Sequence, residues 1–170
     1  VEAVRDHSRV AVVGANGTGK DWQSARIMLW WQSVYNPAIT VVLGPTHRQV
    51  SDIIWKEARS AYLSPRMPLG VQMYRTARWE HDDRHYAVGF STDNEYNIQG
   101  FHSPHLLVII TEAHNVEQAH IEAVKRLNPE RMLLTGNAFA SSGEFYEAFH
   151  GGSDLYHTIE IGAADTPNVQ

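Results

Sequence analysis

Five branched apolar residues stand in a row at Leu106-Leu107-Val108-Ile109-Ile110. Successive side chains of a strand point to opposite faces, so this run is apolar on both. A strand buried on both faces belongs in a mainly parallel sheet with helices packed above and below it. Other segments fit the same plan. Val10 to Val13 is a short apolar run ending at Gly14, and Ile39 to Leu43 is a second buried-type strand that stops at Gly44-Pro45. Val71 to Trp79, Tyr86 to Phe90, Met132 to Leu134 and Tyr156 to Ile161 read as further strands. Helical patterns lie between them. Lys20 to Tyr35 offers Trp22, Ile27, Leu29, Trp30 and Val34 as a broad apolar surface. Gln49 to Leu63 repeats apolar residues at Val50, Ile53, Ile54, Ala58 and Ala61, spaced by three and four. Glu117 to Leu127 and Glu144 to Phe149 complete the set. Ser64 to Gly70 and Ser91 to Ser103 read as loops, and Glu80 to His85 as a charged turn. Strands alternating with helices predict an α/β domain with a mainly parallel central sheet flanked by helices.

A length of 170 residues suits one domain with a single core. The hydrophobic content of 43% and charged content of 19% are those of a soluble globular protein. No run of 18 apolar residues exists, so no membrane contact is expected, and Val1 to Arg9 mixes both charge signs, unlike a signal peptide. The start at Val1 rather than Met points to a fragment. With no cysteine, disulfides, thiolate catalysis and cysteine zinc sites are excluded. The net charge of −5 lacks the basic stripe of a domain that grips DNA tightly by itself. Any DNA contact must be local, transient or shared with other chains.

Gly14-Ala15-Asn16-Gly17-Thr18-Gly19-Lys20 satisfies G-x-x-x-x-G-K. Such a pattern arises by chance in a chain this long roughly one time in twenty. Its place decides the matter, because it directly follows an apolar strand and opens a helix. The loop's backbone N–H groups would converge on phosphate oxygens, the helix would present its positive N-terminus, and Lys20 would reach the β- and γ-phosphates of ATP. The Ser or Thr that usually follows the lysine, offering a hydroxyl to Mg²⁺, is here Asp21.

A second anionic centre is needed to hold Mg²⁺ and to orient the attacking water. The run Leu106 to Ile110 ends in Thr111-Glu112-Ala113, and Glu112 is the candidate base. A cap on the following helix is the plainer use of that acid. The acidic residue expected before Glu112 is Thr111. The chain thus has an acid where a hydroxyl is usual and a hydroxyl where an acid is usual. If both face one metal, the two form an exchange: Asp21 binds Mg²⁺ directly and Thr111 holds one of its waters. The competing reading is that Asp21 repels the phosphates and cripples hydrolysis.

The ordered set of motifs resembles one family. After the phosphate loop and Asp21-Trp22 come Gly44-Pro45-Thr46-His47-Arg48-Gln49-Val50, then Ile98-Gln99-Gly100-Phe101-His102-Ser103, then Ile109-Ile110-Thr111-Glu112-Ala113. Thr135-Gly136-Asn137 and Gly143-Glu144-Phe145-Tyr146 follow. This succession resembles the ATPase domain of the large terminase subunit, the DNA-packaging motor of tailed bacteriophages, from about Val10 to Asn168. The resemblance implies a three-layer P-loop NTPase fold of the additional-strand type. It implies Mg²⁺-dependent ATP hydrolysis that powers translocation of viral double-stranded DNA into a procapsid. Lys20 would be the Walker A lysine, Glu112 the catalytic glutamate, and Thr135-Gly136-Asn137 the coupling motif, with Asn137 sensing the γ-phosphate. Implied partners are the portal protein and the small terminase subunit. The implied assembly is a homo-oligomeric ring in the host cytoplasm, transiently at the portal vertex. Ala138 stands where the family usually has proline. An arginine that neutralises phosphate charge is also implied, and Arg75, Arg78 and Arg84 are candidates, or else solvated surface charges. The family's C-terminal nuclease domain is not expected in a chain ending at Gln170, so no DNA cleavage is expected.

Two rivals share these residues. One is a helicase-like DNA-dependent ATPase, which needs a second motor domain. The other is a degenerate module that binds nucleotide without turnover and serves assembly; the changes at Asp21 and Thr111 favour it. His81 and His85 could hold zinc, but the charged segment between them suits a solvated turn better. His102, His105 and His114 are placed around the candidate site by the motif order. Trp22, Trp30 and Trp31 are read as core rather than as stacking platforms.

Overall fold

The computed structural model describes residues 1–64, 72–73, 76–92, 100–139, 141–151 and 153–166. The expected loop at 65–70, Arg75, Ile98, Gln99 and Asn168 lie outside them. The chain runs α1 (Glu2–Asp6), β1 (Arg9–Gly14), α2 (Lys20–Val34), β2 (Ala38–Gly44), a π-helical turn (Gln49–Ile54) continuing as α3 (Trp55–Leu63), β3 (Gln72–Met73), β4 (Arg78–Asp82) and β5 (His85–Ser91). Then come β6 (His105–Ile110), a 3₁₀ turn (Ala113–Asn115), α4 (Gln118–Lys125), β7 (Arg131–Gly136), α5 (Glu144–His150) and β8 (His157–Ile161).

The eight strands among the described residues form one sheet in the order β3-β4-β5-β2-β6-β7-β1-β8. The six strands from β5 to β8 are parallel; β3 and β4 add antiparallel at one edge. Strand β7 lies beside β1 and separates it from β6. This is the additional-strand order. It places the C-terminal ends of β1, β7, β6 and β2 side by side on one edge, where ligands of open α/β sheets bind.

The sheet divides the core as strand alternation requires. Val10, Val12, Val42, Leu107, Ile109 and Leu133 face α2 and α3. Ala11, Val41, Leu106, Val108, Ile110 and Leu134 face α4 and α5. The fold is therefore three layers, and Leu106 to Ile110 is buried on both faces as its sequence demands.

Four expectations need correction. In α2, Trp22 is 51% exposed and Val34 56%, while Ser24 and Gln32 are buried. Gln32 can turn inward because its amide donates to Thr40 Oγ1 at 2.8 Å and to the Tyr86 carbonyl at 3.1 Å. Trp31 is core as expected. Trp22 instead lies under the Arg26 guanidinium, 3.6 Å from its ring centre. The helix expected from Gln49 opens with six residues of π-helix, so Ile53 is only half buried while Ser51 turns inward. The charged segment from Glu80 to His85 is a hairpin whose turn is only Asp83-Arg84, tied by the Arg84 N–H donating to Asp82 Oδ1 at 2.8 Å. His85 is buried, its Nε2 2.8 Å from the Gln32 carbonyl oxygen, and among the described residues no three acidic or histidine side chains group as a metal site. Finally, the stretch from 71 to 79 holds two separate strands, β3 and the start of β4.

No helix among the described residues is long and apolar enough to cross a membrane.

Candidate nucleotide site

The loop from Gly14 to Lys20 leaves β1 at the C-terminal edge and turns into α2. Gly17 and Gly19 have φ of +80° and +83°, a left-handed backbone that side-chain-bearing residues rarely adopt. Thr18 Oγ1 donates to the Ala15 carbonyl at 2.9 Å and pins the loop's waist. The Lys20 ammonium has three protons and three acceptors: the carbonyls of Gly14 at 2.7 Å and Ala15 at 2.8 Å, and Asn137 Oδ1 at 2.9 Å. Burial holds its pKa below the ordinary lysine value, while the Glu112 and Asp21 carboxylates partly offset that effect. Asn137 also donates from Nδ2 to Asn16 Oδ1 at 2.9 Å. Its side chain is thus committed to the phosphate loop and does not serve as a turn or cap residue.

Asp21 and Thr111 meet. Thr111 Oγ1 donates to Asp21 Oδ1 at 3.1 Å, although the two are 90 residues apart in the chain. Gln49, the first residue of the π turn, adds its Nε2 at 3.2 Å from the same oxygen and 3.3 Å from Thr111 Oγ1. The segment Gly44 to Gln49 is therefore a strand-to-helix turn that also delivers a side chain to the site. Burial pushes the Asp21 carboxyl above its ordinary range, against the pull of Thr111, Lys20 and Gln49.

Glu112 follows Thr111 with φ 49° and ψ 42°. A left-handed backbone is uncommon for glutamate and costs on the order of 1 kcal/mol or more. The residue precedes the 3₁₀ turn, yet its carboxylate makes no capping hydrogen bond. The plain capping use is thereby removed. Instead Glu112 Oε2 lies 3.5 Å from His114 Nε2. His114 Nδ1 in turn accepts the backbone N–H of Asn137 at 3.2 Å.

The structure thus brings together Lys20, Asp21, Thr111, Glu112 and Asn137, contributed by three neighbouring strand ends, β1 with the helix after it, β6 and β7. Gln49 was visible in the sequence only as part of a motif, and His114 only as a nearby histidine. The other two histidines are elsewhere. His105 opens β6, about 20 Å from Thr111 at 3.3 Å per residue, and bonds Glu130 at 2.9 Å. His102 lies near that same end, beside Arg126 and Asn128. Arg78 pairs with Glu80 at 2.6 Å on the outer hairpin, and Arg84 sits at the hairpin tip.

Hard oxygen ligands suit Mg²⁺, which commonly takes one or two protein groups together with substrate phosphates. The Asp21 carboxylate and Thr111 hydroxyl fit that requirement, because their oxygens already lie within hydrogen-bond distance beside the loop.

Neither a protein-family model nor a curated protein sequence matches the chain. Solved structures do. The ATPase domain of the large terminase of Thermus phage P74-26 superposes with a TM-score of 0.68 and 19% identity, covering 91% of this chain and 75% of that one. The large terminase of the thermophilic bacteriophage D6E, solved in complex with ADP, gives 0.70 and 13% identity, covering 98% of this chain and 43% of that one. At such identities the likeness is one of fold, and on that ground this chain has the α/β fold of phage large terminase ATPase domains.

Proposed function

We propose that this chain is a Mg²⁺-dependent ATPase whose turnover drives double-stranded viral DNA into a procapsid. The observation that carries the reading is the convergence of Lys20, Asn137, Glu112 and the Asp21–Thr111 pair at the ends of β1, β7 and β6. The D6E protein's complex with ADP supports nucleotide as the ligand. Packaging partners, namely a portal protein, a small terminase subunit and further copies of this chain in a ring, belong to the same proposal, as does a working place at the procapsid portal vertex.

Each residue has a physical task. The phosphate loop offers backbone N–H groups and the α2 N-terminus to the phosphates. Lys20 gives up one acceptor to bind the β- and γ-phosphates; the Asn137 amide is the one a phosphate oxygen can replace without unfolding the loop. Asn137 thereby reports whether the phosphate is present. Glu112, free of any capping duty, orients the attacking water and accepts its proton. Asp21 and Thr111 would hold Mg²⁺, which neutralises charge on the phosphates when bound.

Phosphate release measured beside an ATP-binding titration tests this. Wild type should bind and hydrolyse ATP, and Lys20→Ala should lose about 100- to 1,000-fold in turnover. Asp21→Thr and Thr111→Asp should each lose roughly 10- to 100-fold. The double variant should recover activity above both single variants, since it restores the usual arrangement. No recovery defeats the exchange. Binding without any turnover in wild type favours the nucleotide-binding assembly module, and no binding at all defeats both.

A further inference from the structure

His114 is 6% exposed at its side chain, yet both its ring nitrogens face polar partners. Nδ1 accepts the Asn137 N–H at 3.2 Å, so the proton of the neutral ring must sit on Nε2. Nε2 is the nitrogen that lies 3.5 Å from Glu112 Oε2. The ring therefore bridges the candidate base to the residue whose amide holds Lys20. Two neighbours fix the ring's place. Phe139 stands edge-on to it at 6.3 Å between centroids. Gly136 makes room for it, because a Cβ there would fall 3.0 Å from Nδ1. A ring that merely filled space would need neither nitrogen satisfied, and Phe or Leu would serve.

We propose that His114 is a positioning residue that transmits the state of the Asn137 loop to the carboxylate of Glu112. The proposal rests on the ATPase reading and adds a part to it. When a phosphate takes Lys20 from the Asn137 amide, the Asn137 backbone shifts. Its N–H carries the imidazole along, and the Nε2 proton then turns Glu112 toward the attacking water. Water is thus activated only when the phosphate is in place. Burial disfavours the charged ring: it holds His114 below its ordinary pKa, the Glu112 carboxylate opposes that and the Lys20 ammonium adds to it. A charged ring would have no lone pair left for the Asn137 N–H.

Two substitutions separate the two halves of the bridge. In His114→Asn the short amide can imitate Nδ1 but does not reach Glu112. In His114→Gln the longer amide can imitate Nε2 but leaves the Asn137 N–H without its partner. Both should lower kcat roughly 10- to 100-fold, as a displaced catalytic group does, with KM and the Kd for ATP within about twofold of wild type. Wild-type kcat in either variant overturns the proposal. A second measurement needs no variant and no turnover. In ¹⁵N-histidine NMR spectra of the wild-type chain, His114 should show the neutral Nε2–H tautomer, and its Nδ1 resonance should move when a non-hydrolysable ATP analogue is added. An Nδ1–H tautomer, or a resonance that ignores bound nucleotide, overturns it. Failure of the wild-type chain to bind nucleotide is a separate result and counts against the ATPase reading instead.

Discussion

At Asp21 burial raises the carboxyl pKa above its ordinary 3.8, and hydrogen bonds from Thr111 and Gln49 together with the Lys20 charge only partly reverse it. A carboxyl whose folded pKa exceeds its unfolded one costs stability when charged. That cost is fully present above the folded pKa and is gone below the unfolded one. Asp21→Asn keeps the accepting oxygen and removes the charge. The variant should therefore melt above wild type at pH 7, and the gap should close as pH falls toward 4. With Mg²⁺ and ATP present the order should invert, since only wild type gains from binding the ion. Thermal melts across pH, with and without Mg-ATP, give both signs; a variant that melts below wild type at pH 7 without nucleotide contradicts the account. At this scale the sequence was informative where a residue type is forced. Gly14, Gly19 and Lys20 announce a phosphate loop by spacing, and Asp21 and Thr111 announce each other by being the two irregular positions. The contacts of Gln49 and His114 were not legible, because nothing local marks a side chain that crosses from one strand end to the next.

Among elements, α4, α5 and the approach to β8 are tied by one carboxylate. Glu144 accepts from the Tyr156 hydroxyl at 2.7 Å, from Lys125 Nζ at 3.0 Å and from Gln118 Nε2 at 3.3 Å. Burial alone would raise its pKa, but the Tyr156 and Lys125 hydrogen bonds outweigh burial and hold it below the ordinary glutamate value. Stability from such a group is present above the unfolded pKa and is lost as pH falls through the folded one. Glu144→Gln should cost about 2 kcal/mol at pH 7, lowering Tm by roughly 4–8 °C. The deficit should shrink below about pH 4 as wild type is protonated. A deficit that is constant from pH 7 to pH 3 assigns the loss to packing instead. The elements themselves were largely readable. Strands buried on both faces write themselves as unbroken apolar runs, and β1, β2 and β6 were found within a residue or two. Helix α2 is placed where the sequence predicts it, and Ile27, Leu29 and Trp31 are buried as expected, but Trp22 and Val34 face outward while Ser24 and Gln32 pack inside. The π turn at Gln49 was not legible, since Val50, Ile53, Ile54, Ala58 and Ala61 fit ordinary helical spacing and nothing in them marks the wider turn that buries Ser51 and leaves Ile53 half buried.

Over the whole molecule, charge limits what this chain can do unaided. Neutralising DNA phosphates with lysine and arginine supplies nearly all non-specific affinity. Here 19 acidic residues stand against 14 basic ones, a formal net charge of −5. Several of the basic residues are already committed: Lys20 to the phosphate loop, Arg78 to Glu80, Lys125 to Glu122 and Glu144, and Arg131 to the backbone of α1. Sharing them with DNA would break those contacts. The chain alone should therefore bind duplex DNA more weakly than an ordinary non-specific binder, whose Kd lies at about 10⁻⁴ to 10⁻⁶ M at physiological salt. Fluorescence anisotropy of a labelled duplex should not saturate below about 100 µM protein at that salt. A low-micromolar Kd that weakens steeply with added salt would place a real DNA grip on this chain. Weak, unsaturable binding would instead bear out the charge argument and leave any DNA grip in the proposed motor to other chains or segments.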